Sequence, residues 1–98
     1  MKMIQLKKPV AGSRRVAFRV KAATGRRVRL IGSFNGWNEP ARPMVDWRHD
    51  GIYRGMLSLL PGVYEYNFII DGQWYSDAAN PNRKSWQPGK SRSILKVS

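Results

Sequence analysis

The chain of 98 residues is long enough for one small domain, and its 42% of hydrophobic residues is typical of a folded protein. It contains no cysteine, which excludes a disulfide framework and a thiolate metal site, and no apolar run approaches the roughly 18 residues that a membrane-spanning helix needs. The formal net charge of +12 is unevenly distributed, because ten lysines and arginines precede the first carboxylate, Glu39. This bias predicts either an anionic partner or simply a well-solvated basic surface.

The N-terminal residues are basic and lack the long apolar core of a secretory signal peptide, so we expect a cytoplasmic protein. Residues 3–6 have the composition of a short edge strand. We therefore predict that residues 1–12 form an edge strand or an N-terminal arm of a single domain that spans residues 1–98.

Short runs that alternate apolar and polar residues follow along the chain, separated by Gly, Pro, Asn and Asp, and no window has helical periodicity. Turns are predicted at Pro61-Gly62 and Asp71-Gly72, and the polar residues 80–92, rich in Pro and Gly, predict a long loop. About six to eight strands at this spacing favour a sandwich of two antiparallel sheets, with the arginine-rich faces of the first two long strands in solvent. The clearest alternating runs are residues 13–21, 27–31, 53–59, 64–70 and 93–97.

Catalytic chemistry finds little support in the sequence. His49 is the only histidine, and it lies in a polar turn beside Gly51. The six carboxylates are scattered, and no group of ligands has the spacing of a metal site. We therefore predict that the protein is not an enzyme and binds neither a metal nor a cofactor.

The four tryptophans are more informative. Trp37 and Trp74 each lie beside a glycine-containing turn, Trp86 lies in the predicted polar loop, and Trp47 is the one whose position best suits packing in or beside the core. An exposed indole is a flat apolar plate on which a pyranose ring or a nucleobase stacks. For each tryptophan taken alone, packing is the alternative.

Three motifs then occur in order: G-x-F-N-x-W at residues 32–37, L-x-P-G-x-Y-x-Y-x-F at residues 59–68 and D-G-x-W at residues 71–74. From about residue 15 to residue 97 the sequence resembles the glycogen-binding domain of the AMP-activated protein kinase β subunit. More broadly it is similar to carbohydrate-binding module family 48, which includes the N-terminal domains of isoamylases and branching enzymes. The resemblance implies an immunoglobulin-like β-sandwich and non-catalytic binding of α-1,4-linked glucan.

The resemblance also implies a set of sugar-binding residues. Trp37 and Trp74 correspond to the two stacking platforms, placed opposite each other around a sugar ring. Asn67 stands where the kinase module has a lysine, and alternation points it outward, where its amide can bond a hydroxyl.

The last loop departs from the family pattern. Pro88 replaces a leucine that enters the sugar helix, Lys90 replaces a threonine and Arg92 replaces an asparagine. Trp86 is an added aromatic residue in this loop. Lys90 and Arg92 are therefore expected to bond hydroxyls, and Trp86 to offer a third stacking plate.

Two alternatives remain open at this point. In the first, the same fold has lost sugar binding and docks an acidic protein through the basic residues 14–29. In the second, which has no recognisable motif in its favour, the basic strands and tryptophans bind nucleic acid, with affinity that falls steeply with salt. No membrane partner is expected.

Overall fold

Two antiparallel sheets make up the part of the chain that the computed structural model describes, residues 11–38 and 42–98. The edge strand predicted for residues 3–6 lies outside these residues. None of the helical structure in the described ranges is long and apolar enough to cross a membrane. The strands are β1 (Arg14–Lys21), β2 (Val28–Gly32), β3 (Arg42–Met44), β4 (Ile52–Leu59), β5 (Gly62–Ile70), β6 (Gln73–Tyr75), β7 (Arg83–Gln87) and β8 (Lys90–Val97).

The smaller sheet pairs β1 with β4, and the larger one has the order β3-β2-β5-β8-β7, with β6 added to β5. Every strand pairing is antiparallel. The predicted β-sandwich of two antiparallel sheets is therefore confirmed, and among the described residues the only helix is a 3-10 turn at Ser33–Asn35.

The core lies between the two sheets and follows the alternation of the sequence. Phe18 from β1 and Tyr53 from β4 pack in one cluster with Leu30 from β2 and with Tyr66 and Phe68 from β5. Burial of such large apolar side chains is the main source of stability in a domain without disulfides.

The prediction of a long loop at residues 80–92 is wrong. This segment forms a hairpin, in which β7 pairs with the first residues of β8 and the turn contains Pro88 and Gly89. All five residues of β7 are exposed, because this edge strand lies beyond the sandwich and buries neither face. A strand that buries neither face needs no apolar alternation, so no such pattern marks it in the sequence.

Buried polar groups attach the segment before β7 to the larger sheet. The Tyr66 hydroxyl donates to the Asp77 carboxylate (2.7 Å) and accepts from the Asn80 side-chain amide (3.1 Å). The Ser93 hydroxyl, fully buried, accepts from the Asp77 backbone N–H (2.7 Å). Burial, together with the bond to Asp77, raises the pKa of Tyr66 above its ordinary range. These bonds set the position from which β7 starts.

Candidate functional site

The hairpin of β5 and β6 fixes the position of Trp74. Asp71 and Gly72 both have positive φ (49° and 84°), which is the backbone of the tight two-residue turn that Asp-Gly favours. The Asp71 carboxylate accepts from the Arg26 guanidinium (2.6 Å) and from the Arg27 backbone N–H (2.9 Å), and these bonds lower the pKa of Asp71. Trp74 lies directly across from Ile69, so its side chain is on the outer face of the larger sheet, 44% exposed.

The loop after β2 fixes Trp37 in an unusual backbone conformation. Its φ is 59°, a region that a bulky side chain rarely adopts. The Asn35 side-chain oxygen holds it there, accepting from the backbone N–H groups of Gly32 and of Trp37, each at 3.2 Å. The indole covers the buried side chains of Ile31 and Ile69 on the outer face of the sheet. Backbone strain that the surroundings maintain in this way concentrates at functional sites.

Trp37 and Trp74 do not face each other across an open gap. Their rings stack with centroids 5.8 Å apart and an interplanar angle of 18°. A sugar ring between two parallel plates would need about 7–8 Å, twice the ordinary contact distance between carbon atoms. The arrangement of two opposed platforms is therefore not the one that the structure adopts, and Trp37 instead supports Trp74.

Arg92 and Trp86 extend this stack into a row. The Arg92 guanidinium lies 4.2 Å from the centroid of the Trp37 ring and 4.5 Å from that of Trp86. We call Trp74, Trp37, Arg92 and Trp86 the aromatic row. Trp86 joins the row from β7, where an irregularity between Ser85 and Gln87 shifts the strand register. Such a bulge redirects a side chain out of the regular alternation.

An ion pair with Glu65 positions Arg92. The Glu65 carboxylate lies 3.6 Å from both the Arg92 guanidinium and the Lys84 ammonium group. The sequence analysis did not select Glu65, although alternation places it on the same face of β5 as Asn67. Glu65 therefore offsets part of the positive charge of Arg92 and Lys84, and it helps to hold the flat guanidinium in place.

Asn67 lies at the base of a pocket beside the aromatic row. It is on the outer face of β5, as predicted, but it is buried rather than exposed, with only 3% of its surface accessible. Its Oδ1 atom and the Nε atom of Arg92 are both buried, and neither has a hydrogen-bond partner among the described residues. Orphaned buried polar atoms are rare in folded proteins. The pocket is lined by Asn67, Trp74, Trp86, Lys90 and Arg92, together with Gln73, Tyr75 and Ser76, which the sequence analysis did not select.

The structure brings five of the six predicted site residues to this pocket, and the sixth, Trp37, stacks on Trp74. The prediction that Trp47 packs in or beside the core is wrong, since Trp47 is 60% exposed and lines a different pocket, on the smaller sheet. In the described ranges, no three His, Cys, Asp or Glu side chains are grouped so that they could hold a metal ion.

Comparison with known proteins gives a consistent result. Residues 15–98 match the family described as the glycogen recognition site of AMP-activated protein kinase. The chain is 41% identical over 54 residues to Protein PTST homolog 2, chloroplastic, from Arabidopsis thaliana, a match that covers 55% of the chain and 10% of that protein. It is 36% identical over 73 residues to the 5'-AMP-activated protein kinase subunit beta-1 of Sus scrofa, covering 74% of the chain and 56% of that protein. The chain thus matches only part of the length of each relative.

Proposed function

Because the chain belongs to the family of the AMP-activated protein kinase glycogen recognition site, we propose that it binds α-1,4-linked glucan without catalysing any reaction on it. The observation that carries this proposal is the pocket beside the aromatic row, whose base holds the unpartnered Oδ1 atom of Asn67.

A sugar supplies what the base of this pocket lacks. The buried Asn67 Oδ1 is an acceptor and the buried Arg92 Nε–H is a donor, and both are without a partner among the described residues. A hydroxyl group donates one hydrogen bond and accepts others, so sugar hydroxyls can supply both kinds of partner. Leaving such atoms unpaired costs about 1–3 kcal/mol each, and ligand binding would recover part of that free energy.

The rest of the pocket suits the other surfaces of a glucan. The exposed indoles of Trp74 and Trp86 offer flat apolar plates for the C–H faces of successive glucose units. Lys90 also lines the pocket, with its ammonium group 6.0 Å from the centroid of the Trp86 ring. In this proposal it donates hydrogen bonds to outer hydroxyls of the glucan. In this proposal Trp37 acts chiefly as the support that holds Trp74 flat.

The binding test is a calorimetric titration of maltoheptaose into the protein at low and at high salt. We expect saturable binding whose affinity changes little with salt, because the ligand is neutral. An absence of binding would contradict the proposal and favour the alternative in which the fold docks an acidic partner through its basic face. Binding of a single-stranded oligonucleotide that weakens steeply with salt would favour nucleic acid instead.

Replacing Asn67 by leucine tests the role of its buried oxygen. Leucine has a similar shape and removes an unsatisfied acceptor, so we expect the free energy of unfolding to rise by about 1 kcal/mol. Maltoheptaose affinity should fall by roughly tenfold, because the hydroxyl loses its acceptor. Urea unfolding and calorimetry measure the two effects. A variant that is less stable and binds normally would show that Asn67 serves the fold and not the ligand.

The location of the protein stays a prediction. The name of one relative includes the word chloroplastic, whereas the sequence predicts a cytoplasmic location for this chain.

A further inference from the structure

The smaller sheet carries a second distinctive surface, on the opposite side of the sandwich from the glucan pocket. The inward residues of β1 and β4 include Phe18, Tyr53 and Leu59, so the residues between them point to solvent. We call the outward surface the arginine face. It consists of Arg15, Arg19 and Lys21 from β1, Arg54 and Met56 from β4, and Trp47 from the preceding loop.

Most of the cations of the arginine face have no paired carboxylate in the described ranges. Arg19 lies directly across from Arg54 in the strand register, and like charges in this position destabilise a sheet. Arg54 is paired with Asp50 (3.1 Å), whose pKa is lowered to about 2 by the hydrogen bond from Arg54. Arg15, Arg19 and Lys21 form no ion pair with any residue in the described ranges. A carboxylate brought between Arg19 and Arg54 would relieve their repulsion.

Exposed apolar groups lie among these cations. Trp47 is 60% exposed and Met56 47% exposed, and both line a shallow pocket that reaches the face of β1 at Ala17. The guanidinium groups of Arg48 and Arg54 lie over the Trp47 ring, 4.6 and 5.8 Å from its centroid. The ring is therefore partly covered, which leaves less of its surface for a stacked sugar or nucleobase and places two donors beside an apolar edge.

We propose that the arginine face docks an acidic segment of another protein, one in which carboxylates alternate with aliphatic or aromatic side chains. The carboxylates pair with Arg15, Arg19 and Arg54, and the apolar side chains pack on Met56 and Trp47. Arginine suits this role because its planar group binds a carboxylate through two parallel hydrogen bonds. Single-stranded nucleic acid fits less well, since it calls for open aromatic faces along a basic groove, and two arginines lie over the one exposed tryptophan of this face.

The two surfaces are on opposite sides of the sandwich, so occupation of one leaves the other open. Docking on the arginine face does not depend on glucan binding, and each can fail without the other. A chain that does both would hold an acidic protein at the surface of a glucan.

The test uses a short synthetic peptide in which glutamate alternates with leucine, labelled for fluorescence anisotropy. We expect binding at low salt that weakens as salt is added, because the contacts are charged and near the surface. The Arg19→Glu variant should lose affinity by about tenfold or more, since it both removes a contact and repels the peptide. Trp47→Ala should also weaken binding, whereas Trp74→Ala, on the other sheet, should bind the peptide normally.

Two controls keep the result interpretable. Arg19→Glu removes the repulsion between Arg19 and Arg54, so its thermal midpoint should equal or exceed that of the wild type, and its maltoheptaose binding should be unchanged. A matched peptide with glutamine in place of glutamate should not bind. Equal binding of the glutamine peptide, no binding of the glutamate peptide, or tighter binding of an oligonucleotide of equal charge would each overturn the proposal.

Discussion

Trp74→Ala is expected to weaken maltoheptaose binding by roughly tenfold to a hundredfold, measured by calorimetry. Stacking of a flat ring on an aromatic side chain contributes about 1–3 kcal/mol on the scale known for nucleobases, and Trp74 lines the pocket. The loss of affinity should exceed that of the removed sugar contact, because Trp37 also loses its stacked aromatic neighbour at the end of the aromatic row.

Trp47→Ala is the matched control, because Trp47 is also an exposed tryptophan but lies on the other sheet. It should leave maltoheptaose affinity unchanged. Trp74→Phe keeps a smaller plate and should retain part of the affinity, which separates loss of stacking from loss of the local fold. Normal binding by Trp74→Ala, or an equal loss in both alanine variants, would contradict the proposed site.

Gly32→Ala is expected to lower the free energy of unfolding by about 1–3 kcal/mol, the usual cost of forcing an added carbon into a packed site. The φ of Gly32 is extended (−174°), so space and not backbone freedom requires glycine here. A Cβ atom would lie 2.5 Å from the Glu65 carbonyl oxygen and 2.6 Å from the Phe34 ring. Because Glu65 also holds Arg92, and Gly32 starts the Trp37 loop, maltoheptaose affinity should fall as well.

Gly55→Ala provides the comparison for this stability measurement by urea unfolding. Gly55 also lies within a strand, but an added Cβ would meet only the unbranched side chain of Met44, 3.3 Å from its Cγ atom and 3.8 Å from its Cε atom. That side chain can move, so the expected loss of stability is smaller. A Gly32→Ala variant as stable as Gly55→Ala would show that the loop relaxes without strain.

The strands that bury one face could be predicted from the sequence. Residues of β5 alternate between the core and the outer surface, and Asp71-Gly72 specifies the hairpin that places Trp74. β7 could not be predicted in this way, because it buries neither face and therefore has no apolar alternation.

The environment of individual side chains was harder to predict than their direction. Alternation placed Asn67 on the correct face of β5 but gave no information about what lies above it, so its burial was missed. Trp47 lies in a loop, where no periodicity applies, and its exposure depends on tertiary contacts with Arg54. The stack of Trp37 on Trp74 joins the loop after β2 to strand β6, and no local pattern indicates it.

The charges on β1 also affect how copies of the protein behave when crowded. Within the described residues β1 pairs only with β4, and no described strand covers its other backbone edge. Open edges of this kind are common starting points for aggregation, and closely spaced cations are one of the ways in which natural sheets prevent it. Four of the eight residues of β1 are Arg or Lys, so two such edges repel each other. A polymer that gathers many copies side by side would raise their local concentration greatly, and this repulsion would keep them apart.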